Sequence, residues 1–154
     1  MIKMDFSNAR EVEQLRRMKE LQKTKTCHFC RKDFEKKHSS PILREQKLWF
    51  VTKNDFPYVG VVHQYLIISK RHTTKATNLS PKEWSEFGIM LKWLSKHLKV
   101  KGYSLFIRSG DMKLTGGSLD HIHFQLLVGG PKPKNWQPAD SIPLTLGYKK
   151  KVKK

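Results

Sequence analysis

Ile122, Phe124 and Leu126 alternate with His121, His123 and Gln125 in the stretch Asp120–Val128. This is the period of a β-strand with one buried face, so the two imidazoles and the amide share the other face. They stand in steps of roughly 7 Å, close enough to act on a single phosphate or metal ion. Just ahead of them, Thr115-Gly116-Gly117-Ser118-Leu119 supplies two glycines and a serine, as expected of a loop whose backbone N–H groups approach a phosphate closely. A second reactive group is Cys27-His28-Phe29-Cys30. Two residues between thiols read as a metal knuckle or a redox pair, the alternative being two buried free thiols. A closed tetrahedral zinc site would need two further N or S ligands, and spacing alone does not choose them among the seven histidines.

The elements that must position these groups follow from periodicity and punctuation. Leu48–Val51 and Val61–Ser69 read as buried strands, with Asn54-Asp55-Phe56-Pro57 as the turn between them. Ser80-Pro81-Lys82-Glu83 is a capping box with proline at the first helical position. The helix it starts has Trp84, Phe87, Leu91, Leu94 and Leu98 on its apolar face and is expected to run to about residue 98, with Gly102 beyond its end. His97, late in that helix, is placed to complement the helix dipole. Tyr103–Arg108 is a further strand, returned to the histidine strand by the loop Gly110–Ser118. Strands and one long helix in this order predict an α+β fold, an antiparallel sheet with helices on one face.

Both ends differ from this body. Residues 1–26 carry a basic amphipathic helix, with Val12, Leu15, Met18 and Leu21 at helical spacing and Arg16, Arg17, Lys19 and Lys23 between them. Docking of this helix on the domain is expected in preference to a nucleic-acid-binding arm. After the knuckle comes a charged turn through Lys36, Lys37, His38 and Ser39-Ser40-Pro41, with His38 exposed. The domain proper is expected at 27–130. Residues 131–154 form a Pro/Lys-rich segment in which Trp136, Ile142, Leu144 and Leu146 are expected to pack on the body. Its end, Lys149-Lys150-Lys151-Val152-Lys153-Lys154, reads as a solvated cationic tail.

At 154 residues and 38% hydrophobic content the chain is long enough for one domain with a real core. No run approaches the ~18 apolar residues of a membrane span, and the first residues lack a signal-like apolar region, so a cytoplasmic protein is expected. Thirty-one Lys and Arg against thirteen Asp and Glu give a formal charge of +18. Such a field draws polyanions, from nucleotides to RNA.

Gly116-Gly117-Ser118-Leu119-Asp120-His121-Ile122-His123-Phe124-Gln125 resembles the signature of the histidine triad superfamily. That superfamily includes nucleotide hydrolases, dinucleoside polyphosphate phosphorylases and galactose-1-phosphate uridylyltransferase. Hydrolase branches usually carry a third histidine where this chain has Gln125, and His-x-His-x-Gln is similar to the transferase and phosphorylase branches. The resemblance extends over roughly Cys27 to Val128. It implies an antiparallel sheet with a long helix packed on it, stapled by a structural zinc on Cys27, Cys30, His72 and His121.

The resemblance also implies that the chain acts on a nucleotide substrate as a nucleotidyltransferase, phosphorylase or hydrolase. His123 would attack the α-phosphorus and hold the nucleoside monophosphate covalently. Gln125 would donate to a phosphate oxygen, leaving the intermediate less readily hydrolysed and a second nucleophile such as phosphate or a sugar phosphate as acceptor. Ser118, the N–H groups of Gly116 and Gly117, and Arg108 or Lys113 would supply further donors. Asn54, Asp55 and Phe56 resemble the segment beside the ribose and base in uridylyltransferases. A homodimer is implied as well. Many relatives carry Asn-x-Gly ahead of the glycine loop, where this chain reads Arg108-Ser109-Gly110 and lacks an amide at Ser109. With the charge and the lysine run, that departure motivates a different expectation: a nucleic-acid-binding module of the same fold, weak or inactive in catalysis, reaching nucleic acid through Lys149, Lys150, Lys151, Lys153 and Lys154.

Overall fold

The structure is a computed structural model that describes residues 3–150. Lys151, Lys153 and Lys154 of the basic tail lie outside the described residues, and Lys149 and Lys150 are exposed. A helix α1 (Val12–Lys23) and a short helix α2 (Arg31–Lys37) precede the strands β1 (Ile42–Glu45), β2 (Trp49–Lys53) and β3 (Val61–Ser69). The long helix α3 (Pro81–His97), β4 (Ser104–Ile107), the single-turn α4 (Met112–Thr115) and β5 (His123–Gly129) follow. The strands form one antiparallel sheet in the order β1-β2-β3-β5-β4. β5 lies between β3 and β4, so the strand that carries the histidine has laddered neighbours on both sides. Among the described residues no helix is long and apolar enough to cross a membrane.

Side-chain alternation assigns each face of this sheet its own cluster. Trp49, Val51, Ile67, Ile122, Phe124 and Leu126 pack with Phe87, Met90 and Leu94 of α3. On the opposite face Phe50, Leu66 and Ile68 pack with Cys27, Phe29, Phe34 and Leu119. Helices therefore cover both faces, not one. The expectation missed α2 because Arg31–Lys37 holds one buried apolar residue, Phe34, in an otherwise polar heptad and reads as a charged turn. β1 was missed as well, being a four-residue edge strand whose pairing with β2 is interrupted by a register shift.

Helix α3 starts where its capping box predicts. Ser80 accepts from the N–H of Glu83, and Glu83 accepts from the N–H of Ser80. Arg71 clamps the same carboxylate bidentately at 3.0 and 2.9 Å, which fixes the link between β3 and α3. Glu86 accepts from the N–H groups of Leu48 and Trp49, and the Trp49 indole donates to the Glu83 carbonyl, riveting α3 to β2. The helix ends at Leu98, ahead of Gly102, and Lys99 takes φ +52°. His97 is exposed and stacks on Trp93 at 4.8 Å.

On α1 the buried residues are Gln14, Met18 and Leu21, whereas Val12 is 86% exposed. The apolar stripe thus begins a turn later than its spacing suggests. Beyond residue 130, Ile142 lies against Gly60 and Gly129, while Trp136 and Leu146 remain exposed. Tyr148 donates to Asn8, which donates to the Gly117 carbonyl, so both ends of the chain meet over the glycine loop.

Candidate active site and metal centre

Cys27, Cys30, His72 and His121 come together with their ligand atoms all within 4.8 Å of one another. They arrive from three places in the chain. Cys30 ends a turn closed by its N–H on the Cys27 carbonyl and also caps α2. His72 follows the clamped Arg71, and His121 sits just before β5. Sγ of Cys27 is 3.3 Å from Nδ1 of His121, and Sγ of Cys30 is 3.6 Å from Nδ1 of His72 and 3.9 Å from that of His121. Tetrahedral zinc with ordinary Zn–S and Zn–N bonds places S and N ligands about 3.6 Å apart, and these three S–N separations fall around that value, so the four residues suit such an ion. Nε2–H of His121 donates to the Ser69 carbonyl at 2.7 Å, which leaves Nδ1 as the donor atom toward the cluster. Burial pushes the Cys27 thiol up to about 12 and the His121 imidazolium down to about 3. A thiolate here needs a cation beside it, while the imidazole is already in its ligating form. With all four positions supplied by protein, the ion these residues would hold has a structural role.

His123 stands one pleat further along. Its Nδ1–H donates to the His121 carbonyl at 2.7 Å, which fixes the tautomer and leaves the lone pair on Nε2. Burial, reinforced by Arg108, lowers its pKa to about 4 despite the carbonyl, so the ring is neutral at pH 7. Phe29, from inside the Cys27–Cys30 knuckle, meets the His123 ring edge to face at 4.9 Å. Nε2 of Gln125 lies 3.4 Å from Nε2 of His123. Gln125 is buried, and its Oε1 accepts from Gln64 at 2.7 Å.

These groups open onto a cleft of about 760 Å³, the open solvent at its mouth included. Gly116, Gly117 and Ser118 form one wall, Asn54, Asp55 and Phe56 another, and Arg10, Gln14, Arg17, Met18 and Leu21 roof it from the N-terminal segment. Gly116 has φ +67°, and a side chain there would meet Thr145 at 2.9 Å, so the loop can turn only with glycine at this point. Arg108 lines the cleft and is braced by the carbonyls of Thr115 and Thr145 and the Tyr58 hydroxyl. Lys113 is exposed and does not line the cleft. Ser109 is turned away, its hydroxyl accepting from the N–H of Ala76 at 2.9 Å.

The structure departs most from expectation at Asp55. Its Oδ2 accepts from Arg17 at 2.6 Å and the N–H of Ser39 at 2.8 Å; its Oδ1 accepts from the N–H of Ser40 at 2.9 Å and lies 3.0 Å from Nδ1 of His38. Burial alone would raise this carboxyl, but His38 and the two N–H groups hold it well below the usual carboxylate range. Both oxygens expected to face a ribose are therefore engaged within the chain. His38, expected at the surface, has a side chain only 6% exposed and stacks on Phe34 at 4.5 Å. Arg17 also donates to the Lys37 carbonyl and stands over the Phe56 ring at 5.7 Å. Asn54 accepts from the N–H of Phe56 through its side chain. Sequence reasoning did not mark Phe29, Gln64, Arg10, Arg17 or His28 as lining or bracing this cleft. Of these, His28 and Phe29 carried a local signal, their place between the two cysteines.

No family model matches the chain, and neither does any curated protein. Solved structures do. A histidine triad nucleotide-binding protein from Candida albicans superposes with a TM-score of 0.55 at 24% identity, over 75% of this chain and 88% of that one. An HIT family hydrolase from Clostridium thermocellum gives 0.54 at 24% identity, over 72% and 97%. A Zn-bound histidine triad family protein from Mycobacterium smegmatis gives 0.54 at 16% identity, over 75% and 82%. At these identities the likeness speaks for the backbone alone, and on that evidence the chain has the fold of the histidine triad proteins.

Proposed function

We propose that this chain is a nucleotide-binding enzyme of the histidine triad superfamily that transfers or hydrolyses a nucleoside monophosphate group through a covalent intermediate on His123. The observation that carries this reading is a neutral imidazole whose Nδ1–H is tied to a main-chain carbonyl and whose Nε2 faces a cationic cleft. Nε2 donates its lone pair to the α-phosphorus as the bond from phosphorus to the leaving group breaks, and that electron pair departs with the leaving group, which takes a proton from solvent. The imidazolium so formed keeps its Nδ1–H on the His121 carbonyl. In the second step an oxygen of water, phosphate or a sugar phosphate bonds to phosphorus, any proton on that oxygen passes to solvent, the N–P bond breaks and the lone pair returns to Nε2. The Gln125 amide, the Gly116–Ser118 loop and Arg108 stabilise the charge on the phosphoryl oxygens. Gln125 supports transfer over hydrolysis, since an amide cannot hand a proton to a leaving group or take one from water.

The nucleoside is assigned to the wall of Asn54, Asp55 and Phe56. For Asp55 to accept from ribose hydroxyls Arg17 has to withdraw, so binding is coupled to displacement at α1. Cys27, Cys30, His72 and His121 are the proposed zinc ligands, supported by their S–N separations. A homodimer and a cytoplasmic setting belong to the same proposal. A second reading, nucleic-acid binding with little catalysis, is favoured by the +18 charge and by arginines roofing the cleft.

Intact-mass analysis separates the two. Wild type and His123→Ala are exposed briefly to a dinucleoside polyphosphate, a UDP-sugar, ADP and adenosine phosphoramidate. The expected result is a nucleoside monophosphate adduct on wild type alone, discharged by phosphate or a sugar phosphate. No adduct and no donor consumed, with RNA binding that falls steeply with salt, would replace the enzyme reading by the second.

A further inference from the structure

Gln64, on β3, is 1% exposed and lies diagonal to Gln125 across the β3–β5 ladder, where such neighbours on one face touch. An amide side chain has nearly the same shape either way round, so its orientation is decided by its partners alone. Here the first partner admits only one answer. The main-chain N–H of Tyr58 can only donate, and it lies 2.7 Å from Oε1 of Gln64. The NH₂ of Gln64 must therefore point the other way, to Oε1 of Gln125 at 2.7 Å. This turns the NH₂ of Gln125 toward Nε2 of His123, 3.4 Å away. From the far side, the His121 carbonyl can only accept, which puts the hydrogen of His123 on Nδ1. Two reversible amides and one tautomeric ring are set by two main-chain groups at opposite ends of a single directed chain.

We propose that Gln64 is a positioning residue that decides which end of the Gln125 amide faces the nucleophile and the phosphate. The proposal rests on the roles given above to His123 and Gln125. Turned over, Gln125 would present a carbonyl oxygen to the phosphoryl oxygens and oppose the charge that develops on them. With Gln64 in place that orientation would set two like ends of the amides against each other in a buried site, so the productive one is held before substrate arrives.

The test uses the full chain. Gln64→Glu, studied at pH 8, keeps an acceptor for Tyr58 but offers Gln125 no donor; Gln64→Met removes both functions with little change of shape. Side-chain amide signals of Gln125 in ¹⁵N-labelled protein are expected to move in both variants, the NH₂ now drawn to the introduced carboxylate or left unheld. With the donor that wild type consumes, kcat is expected to fall about tenfold to a hundredfold while KM stays within about threefold. Gln125 signals at their wild-type positions in either folded variant would overturn the proposal. So would, in wild type itself, close-contact NOEs from the Gln64 NH₂ protons to the Tyr58 N–H, which would put that amide the other way round. His123→Ala is run alongside. Turnover that survives it defeats the nucleophile assignment separately, because the amide signals report orientation whatever the activity.

Discussion

The two sides of β5 do different work with the same backbone. Ile122, Phe124 and Leu126 face α3, where Phe124 stacks on Phe87 at 3.9 Å and meets Trp84 and Trp49 edgewise or tilted. Such contacts are non-directional, and any well-fitting apolar set would serve. His121, His123 and Gln125 face the other way, and each is held through a directed hydrogen bond: to Ser69, to the His121 carbonyl and from Gln64. The apolar side specifies where the strand lies, and the polar side specifies which atom of each group carries a hydrogen. Substitutions should divide accordingly, with stability on one side and chemistry on the other.

The largest effect should break that division. Cys30→Ser removes one of the clustered donors on the polar side, yet it is expected to take bound zinc from about one per chain to nearly none and to lower the melting temperature by more than about 10 °C. Unchanged metal content and melting temperature would remove the zinc assignment and restore the simple division. Next comes Phe124→Ala, expected to cost about 3–5 kcal/mol in urea unfolding while adduct formation per folded molecule persists. Loss of the adduct in a folded Phe124→Ala protein would mean that packing on α3 also sets the His123 geometry.

The smallest effect sharpens the comparison at the roof of the cleft. Arg17→Ala is expected to cost about 1 kcal/mol, below the cost of breaking a sealed ion pair, because the Arg17 side chain is 21% exposed and two main-chain donors remain on Asp55. Since the folded Asp55 carboxyl lies below its unfolded value, this contribution is fully present above that value. Because both proteins share the unfolded value, the difference between them is lost only as pH falls through the depressed folded value. Urea midpoints of wild type and Arg17→Ala should therefore differ evenly from about pH 8 to about pH 4. An Arg17→Met variant that keeps the wild-type midpoint across that range would point to packing of the arginine stem in place of its charge.

Sequence legibility followed the same line. The alternation in β5, the strand Val61–Ser69 and the Ser80 capping box are local patterns, readable within a few residues and present in the structure. The clustering of Cys27, Cys30, His72 and His121 was placed by resemblance, since no local rule pairs residues so far apart. What was missed depends on partners distant in the chain. Arg17 meets Asp55 thirty-eight residues away, and Gln64 meets Gln125 sixty-one residues away. His38 looked exposed because its neighbours in sequence are charged, whereas its neighbours in space are Phe34 and Asp55.

His121 takes part in both sites, but through different atoms. Its ring faces the cysteines, while its main-chain carbonyl holds the proton of His123. A carbonyl is supplied by every residue type. Over generations the side chain at 121 is therefore free to change its ligating atom, or to lose it, without altering the tautomer of His123. The proposed metal centre and the proposed nucleophile share a residue and are nevertheless separable under mutation, provided the backbone keeps its course.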